Sequence, residues 1–557
     1  MIIHELHAIQ NQYGYLPATE LQALSRRLHV PLYRLHGVAS FYPHFRLHPP
    51  PAVDIKVCRD FACYLRGASD LLEIVRTAVD ASPLTDVEVA PTACLGQCDS
   101  APAIAINNQS YTRVNAQRIT SLLDIIASGR TLRRQRLSPP TSPFVCDPYN
   151  GTPTYEALRR QVQDGDAVAV LEELKHSGLS GMGGLEELKH SGLRGMGGAG
   201  FPTGIKWDLV RTTSSQVKYV ICNADESEPG TSKDRFILQT LPDLVLEGMA
   251  LAALVVGAQK AIVFIRHEYA RERDILHKIL QRRQAEGILG RHILGSTLSV
   301  EFELFESPGG YICGEETALL EVIEDKRAEP RNKPPFPSTH GLFGKPTLIN
   351  NVETFAMIPG ILLNGGTWWA AQGRNGANGL KFLAVSGHVK YPGVYEVPLG
   401  LSARELLFER AGGIRHGRPL KAFAPGGASS GFLPANMLDI PLDFHKLAEV
   451  GSMLGSGAVV VVAEGTCMLD LALNVGRFFR DESCGKCVPC RVGTEKIVML
   501  LEGIRQGHGS MADLDLIEEL SDTMALTSIC GLGQAAPNPI LSVIKYFKDD
   551  IVRYITR

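Results

Sequence analysis

Cys484-Gly485-Lys486-Cys487-Val488-Pro489-Cys490 is the stretch on which the reading of this chain turns. Three thiols spaced C-x2-C-x2-C arrive from successive short turns and can wrap one small inorganic cluster. Iron–sulfur clusters are held by four thiolates, so a fourth must come from elsewhere. The next cysteine downstream is Cys530, in Ser528-Ile529-Cys530-Gly531. The spacing therefore predicts a [4Fe–4S] site on Cys484, Cys487, Cys490 and Cys530. Zinc has little use for three cysteines packed so tightly beside a distant fourth. An electron-transfer protein follows.

Of the twelve cysteines, four more stand together near the start, as Cys58-x4-Cys63 and Cys94-x3-Cys98. Two pairs separated by a helix-sized insert suit a [2Fe–2S] cluster, one pair for each iron. Zinc is the alternative, although zinc ribbons favour x2 spacings. Cys146, Cys222, Cys313 and Cys467 are isolated and read as small buried thiols. Disulfides are not expected in a cytosolic chain of 557 residues. That length implies three to five domains. Hydrophobic content of 45%, 21% charged residues and a net charge of −3 give no reason to expect nucleic acid or an anionic membrane surface. The apolar runs, Met249–Ala258 among them, stop short of a membrane span. Met1 leads into a helical pattern without a signal sequence, so the expected location is cytoplasmic.

The patterning predicts a multidomain α/β protein. Residues 1–50 form an N-terminal helical segment, with Ile3, Leu6 and Ile9 and later Leu21, Leu24 and Leu28 at helical intervals. Residues 51–130 alternate short apolar runs with helices, as a thioredoxin-like domain would. Residues 131–165, rich in Arg, Pro and Ser, read as a linker. In residues 166–372, strands at Val217–Cys222, Ala261–Ile265 and Leu298–Phe305 alternate with helices at Phe236–Val256 and Ala270–Ala285. Such alternation implies a mainly parallel, Rossmann-like sheet. Short strands at Phe382–Ser386 and Val394–Val397, with a helix near Ala403–Ala411, make residues 373–450 a small β-grasp module. Residues 451–557 form a helical cap around the second cysteine group.

Leu171–Gly184 (LEELKHSGLSGMGG) is followed at once by Leu185–Gly198 (LEELKHSGLRGMGG), identical at thirteen of fourteen positions. Two copies cannot stack into a solenoid core. Only the second runs on into Ala199-Gly200-Phe201-Pro202, so the second copy is expected to be functional and the first an insertion. Gly195-Met196-Gly197-Gly198-Ala199-Gly200 matches G-x-G-x-x-G by letter. A helix precedes it, however, and Pro202 interrupts the segment after it, unlike the dinucleotide fingerprint. So many glycines still let backbone N–H groups approach an anion closely. Arg194 and Lys206 supply positive charge beside it; the competing reading is a flexible loop.

Asn223-Ala224-Asp225-Glu226-Ser227-Glu228-Pro229-Gly230 follows a predicted strand, where open α/β sheets bind ligands. Its three carboxylates repel one another unless ligand hydroxyls or amides use them as acceptors; otherwise the loop is simply solvated. Tyr311-Ile312-Cys313-Gly314-Glu315-Glu316 also follows a predicted strand. Lys333-Pro334-Pro335-Phe336-Pro337 is too rigid for idle coil.

Taken with Gly192–Trp207 (GLRGMGGAGFPTGIKW), Asn350–Thr354 (NNVET) and Glu482–Arg491 (ESCGKCVPCR), these motifs resemble the flavin subunit of respiratory complex I. Residues 1–130 resemble its thioredoxin-like [2Fe–2S] companion, fused in front. Such fusions resemble the β subunit of soluble NAD-dependent formate dehydrogenases and the diaphorase subunit of NAD-reducing hydrogenases. Hydrogenase-type subunits often lack some N-terminal cluster cysteines, whereas all four stand here and no cysteine follows Cys530, which favours the formate enzyme.

The resemblance implies FMN held by the Gly192–Gly200 loop (Gly192, Arg194, Gly195, Gly197, Gly198, Gly200), by Lys206, Asn223, Asp225 and Glu226, and by Gly314, Asn350, Asn351 and Thr354. It implies NAD(H) over the flavin, with Phe201 and Phe336 on the adenine and Glu228, Glu316 and Lys333 on polar groups; Tyr311 and Glu315 belong to the same motif. No side chain need act as acid, base or nucleophile, although Glu228 and Glu316 stand near the hydride path. The implied partner is a catalytic subunit with further iron–sulfur clusters, a molybdenum or tungsten formate dehydrogenase α subunit. Together they would convert formate and NAD+ to CO2 and NADH. The alternatives are a hydrogenase diaphorase and a non-catalytic iron–sulfur scaffold.

Overall fold

A computed structural model describes residues 2–134, 143–164 and 182–555. Most of the first repeat copy, residues 171–181, lies outside the described residues. The helix Met182–Ser191 takes in the last three residues of the first copy and the first half of the second, and runs into the glycine loop.

Three helices, Ile2–Tyr13, Ala18–Leu28 and Leu32–Ala39, open the chain. Ile3, Leu6, Leu21 and Leu24 are buried as their spacing predicts. A four-stranded sheet comes next, made of β1 (Val53–Cys58), β2 (Val87–Thr92), β3 (Ala103–Ile106) and β4 (Gln109–Thr112), in the order β2-β1-β3-β4. β1 and β2 are parallel and are joined by the crossover helix Ala68–Asp80. β3 and β4 make a hairpin through Asn107 and Asn108, both at positive φ (47° and 65°), as a two-residue primed turn requires.

The second sheet is fully parallel: β5 (Tyr219–Ala224), β6 (Lys260–Arg266), β7 (Glu301–Ser307) and β8 (Thr347–Asn351), in the order β7-β6-β5-β8. The helix expected over Phe236–Val256 is two, Lys233–Thr240 and Pro242–Val256, bent by 95°. Pro242 cannot donate to the preceding turn, and it sits where its missing N–H costs nothing, at the start of a new helix. That second helix is almost wholly buried and crosses Val352–Asn364 closely enough that a Cβ on Gly248 would stand 2.1 Å from the Phe355 carbonyl. Among the described residues no single helix is long and apolar enough to cross a membrane.

Two expected boundaries are corrected. The supposed linker 131–165 is well packed in its described second half. Tyr155 and Leu158 are buried, the Tyr155 hydroxyl donates to Asp243 (2.8 Å) and the Tyr149 hydroxyl to Glu247 (2.8 Å). Its polar composition hid these aromatic anchors. The third sheet, in turn, does not end at 450. It contains β9 (Leu380–Gly387), β10 (Gly393–Pro398), β11 (Leu420–Ala424), β12 (Leu433–Pro434) and β13 (Ala458–Ala463), in the order β10-β9-β13-β11-β12. β13 is the central strand and is buried along its whole length. Its AVVVVA run is the signature of a strand covered on both faces. The helix expected near Ala403–Ala411 is a π-helix, Glu405–Arg410. From Met468 to Ile555 the chain is helical, and its core continues into the N-terminal helices.

Candidate cofactor sites

Parallel pairing puts the carboxyl ends of β5, β7 and β8 on one edge, and the three expected loops leave from that edge. Asn223, at the end of β5, donates to the Gly314 carbonyl (2.8 Å). A Cβ on Gly314 would stand 3.0 Å from the Asp225 carbonyl, so the two loops touch only because this residue has none. The glycine loop closes on itself through Gly195 N to Phe201 O and Thr203 N to Leu193 O, both 2.8 Å. It is tied to the first turn of the helix Val352–Asn364, which follows β8, by Met196 N donating to Thr354 Oγ1 (2.9 Å). A Cβ on Gly197 would meet Asn351 Cβ at 3.1 Å, and one on Gly200 would meet the Phe444 ring at 2.7 Å. Gly192, Gly198 and Gly200 have positive φ. Asn350, with its amide turned to satisfy both neighbours, donates to the Ile349 carbonyl and accepts from Trp207 Nε1, each at 2.9 Å.

The charged residues divide by role. Glu316 lies between Lys206 (3.3 Å) and Lys333 (2.9 Å), and Lys333 also reaches Glu315 (2.9 Å). Phe201 and Phe336 are 47% and 54% exposed, and Leu209 48%. Exposed aromatics beside a glycine loop are unexplained by packing and fit a stacking partner. Glu228 accepts from the Tyr311 hydroxyl (2.5 Å) and from Ser429 N (2.7 Å) and Oγ (3.1 Å). Asp225 accepts from Ser227 and Ser307, and burial pushes its pKa up to about 6 despite Arg266.

Three expected ligand residues are occupied otherwise. Glu226 takes four donors: Thr231 Oγ1 (3.0 Å), Asp234 N (2.8 Å), Arg235 N (3.0 Å) and the Tyr269 hydroxyl (2.8 Å). Its carboxylate thus caps the helix Lys233–Thr240 and has little capacity for a ligand hydroxyl. Glu315 caps Glu316–Ile323 in the same way, through Thr317 N and Ala318 N. Arg194 donates to the Gly200 carbonyl (3.0 Å), contacts His445 Nε2 (3.1 Å) and lies over Phe444. It braces the loop across its mouth.

Sequence reasoning missed the layer beneath. Lys233, Asp234, Glu353 and Lys381 are buried and mutually paired, with Lys233 to Asp234 at 2.6 Å and to Glu353 at 3.0 Å, and Lys381 against Glu353. Burial pushes Lys381 down to about 8. Asn351 joins this network, accepting from Lys233 (3.1 Å) and donating to Asp234 (2.6 Å). Nothing in the residue types signals this, because lone Lys and Glu residues ordinarily face solvent.

Cys58, at the end of β1, and Cys94, just beyond β2, are neighbours because those strands are parallel. Cys63 and Cys98 complete a buried quartet, with 3.4 Å between the sulfurs of Cys94 and Cys98. Gly96 N and Gly230 N point at the sulfurs of Cys94 (3.4 Å) and Cys98 (3.3 Å). In the second group Cys487 precedes the helix Val488–Arg505 and Cys490 lies in its first turn. Cys530 directly precedes the short helix Gly531–Ala535, and a Cβ on Gly533 would stand 2.9 Å from Cys490 Cβ. Four thiols in each quartet are the donor set of an iron–sulfur cluster.

The sites are physically joined. Gly230, which closes the Asn223–Gly230 loop, donates to Cys98, and Arg266 links the carbonyls of Glu226 (2.5 Å) and Cys94 (2.7 Å). On the other side, Tyr311 N donates to Glu482 (2.7 Å), two residues before Cys484. The Tyr311 ring packs on Phe478, and Lys486 reaches the Pro330 carbonyl (2.7 Å).

Comparison with known proteins agrees region by region. The thioredoxin-like [2Fe-2S] ferredoxin family matches residues 1–127, the Nuo51 FMN-binding domain 188–360, and the NADH-ubiquinone oxidoreductase-F iron-sulfur binding region 470–554. An NADH-quinone oxidoreductase F-type subunit of Rhizobium meliloti is 44% identical over 407 residues, 73% of this chain and 93% of that protein. NADP-reducing hydrogenase subunit HndC of Solidesulfovibrio fructosivorans is 43% identical over 413 residues, 74% and 81% of the two chains. A chain of an air-oxidized NAD+-reducing [NiFe]-hydrogenase superposes with a TM-score of 0.86 at 32% identity, covering 99% of this chain and 93% of that one.

Proposed function

We propose that this chain, which belongs to the family of NADH-quinone oxidoreductase F-type subunits and carries a thioredoxin-like [2Fe–2S] region ahead of that part, is the NAD-reducing subunit of a cytoplasmic formate-oxidising assembly. At the coarser level it is an NADH-binding, FMN- and iron–sulfur-containing diaphorase subunit. FMN, when bound, exchanges an electron pair as hydride with NAD(H) and single electrons with iron–sulfur clusters.

In this reading the chain's own residues position and insulate. The glycine loop would hold the flavin phosphate through its backbone N–H groups, with Lys206 supplying positive charge. Asn223, Asp225 and Asn351 would contact the flavin from the carboxyl edge, with Asn351 held by the buried Lys233–Asp234 pair, while Asn350 and Thr354, both buried, brace the edge from beneath. Phe201 and Phe336 offer faces to the adenine, and Glu228, Glu316 and Lys333 meet polar groups of the nucleotide. Positioning of this kind is the main catalytic contribution, since no proton need be taken from the reacting carbon. Cys58, Cys63, Cys94 and Cys98 would hold the [2Fe–2S] cluster, and Cys484, Cys487, Cys490 and Cys530 the [4Fe–4S] cluster. The observation that carries the reading is the double attachment of the carboxyl edge, to Cys98 through Gly230 and to the Cys484 turn through Tyr311 and Glu482. A flavin on that edge would have a cluster on each side.

A molybdenum or tungsten formate dehydrogenase subunit is the proposed electron donor, on the strength of the complete N-terminal cysteine quartet. The second reading, a hydrogenase diaphorase, is favoured by the near-complete superposition on a hydrogenase chain. Purifying the native assembly and following NAD+ reduction with formate and with H2 separates them. Formate-dependent NADH formation is expected; H2-dependent formation alone would replace the first reading with the second.

A further inference from the structure

We propose that His7, His44 and Glu306 form a zinc-class metal site that fastens the N-terminal [2Fe–2S] half of the chain to the flavin half. One ligand atom from each of the three lies within 4.8 Å of the other two. His7 comes from the first helix, His44 from the turn after the third, and Glu306 from β7, the edge strand of the parallel sheet. The first two belong to the region matched by the [2Fe-2S] ferredoxin family and the third to the FMN-binding region. The site therefore spans the seam where the two families are fused.

Direct contacts cross the seam: Ile3 N donates to Asp325 (2.9 Å) and the Tyr42 hydroxyl to the Lys326 carbonyl (2.5 Å). What those contacts leave over is His7. It is only 7% exposed, and its Nε2 has no hydrogen-bond partner. A buried ring nitrogen without a partner is costly unless something occupies its lone pair. Neutral imidazoles are the form that binds metal.

The surroundings narrow the choice of ligand. His4 pairs with Glu303, which also holds Lys260 (2.7 Å), and Glu268 is taken by Arg266 and faces His267. The His267 ring packs at a tilt against His44, 4.2 Å between centroids. Glu306 already pairs with Arg273, but a carboxylate has two oxygens and can hold a guanidinium and a metal together. Two imidazoles and one carboxylate are a ligand set suited to Zn2+, with water in the fourth position. Ligand atoms around zinc sit about 3.3 Å apart, so only a small closing of side chains is needed.

The test uses the full-length protein with its clusters intact, checked by iron and sulfide content. It is incubated with Zn2+, desalted, assayed for zinc by mass spectrometry, and titrated against a chromophoric chelator. One zinc per chain is expected. Affinity should fall at least tenfold in His7→Ala, His44→Ala and the milder Glu306→Gln, and stay unchanged in the exposed-site control His508→Ala. Zinc should raise the melting temperature of the wild type and not of Glu306→Gln. Zinc retained equally in all variants, or no zinc retained by the wild type, would overturn the proposal. So would a zinc X-ray absorption spectrum dominated by sulfur.

Discussion

A methyl group on Gly200 would press on the Phe444 ring at 2.7 Å and would also sit on a backbone at φ 62°, which disfavours any side chain. Gly197 is more forgiving, with 3.1 Å to Asn351 Cβ and an ordinary φ. Gly200→Ala should therefore cost at least tenfold in FMN retained after gel filtration, and Gly197→Ala less, as flavin absorbance per chain will report. Phe336 is more than half exposed, so Phe336→Ala should leave the fold intact. Losing one aromatic stack is worth about 0.5–1.5 kcal/mol, or roughly two- to tenfold. That loss should appear in KM for NADH, with kcat in dye reduction nearly unchanged. At this scale the sequence shows the residue types, the glycines and the aromatics, while the exposure of Phe201 and Phe336 comes from the fold. The carboxylates were less legible. Asp225, Glu226 and Glu228 look alike in the loop, yet Glu226 caps a helix and only the fold distinguishes it.

Strands β5 to β7 were foreseen to within about three residues at each end, since their apolar runs are bounded by polar turns. β13 was missed although AVVVVA suits a strand buried on both faces, because such a run has no alternation to tell it from a helix segment and adjoins a helical region. The segment around Tyr149–Leu158 was hidden for the opposite reason, its few anchors being diluted by Arg, Pro and Ser. That segment depends on Glu247, which accepts from Tyr149 (2.8 Å) and Leu158 N (3.0 Å). Burial raises the Glu247 pKa to about 7, against an ordinary 4.5. The folded state therefore holds a proton that the unfolded chain releases. The stabilisation is full below pH 4.5 and is lost progressively as pH rises from there through 7. Between about pH 6 and pH 8 this amounts to about 1 kcal/mol. Glu247→Gln should flatten that part of the pH dependence of thermal stability; an unchanged slope would assign it to other groups.

Across the whole molecule, the N-terminal quartet touches the flavin-side loop through Gly230, and the C-terminal quartet touches the same edge through Tyr311 and Glu482. The proposed electron route from partner to nucleotide passes through this junction. Cys487→Ser removes one thiolate from the C-terminal quartet while leaving the glycine loop and Phe336 in place. It should abolish partner-linked NAD+ reduction and spare a substantial part of NADH-dye reduction, which needs only flavin and nucleotide. Loss of both activities together would mean that the cluster region supports the flavin structurally. Cofactor types were readable from cysteine spacing and loop motifs, whereas the contacts between regions were not. Gly230 to Cys98 joins positions 132 residues apart, and no local pattern announces such a pair.

The most direct measurement is the cofactor content and NADH response of the anaerobically purified chain. One FMN per chain is expected, together with iron and sulfide for one [2Fe–2S] and one [4Fe–4S] cluster, and the flavin absorbance near 450 nm should bleach on adding NADH. Iron and sulfide without flavin, and a spectrum that NADH leaves untouched, would contradict the account.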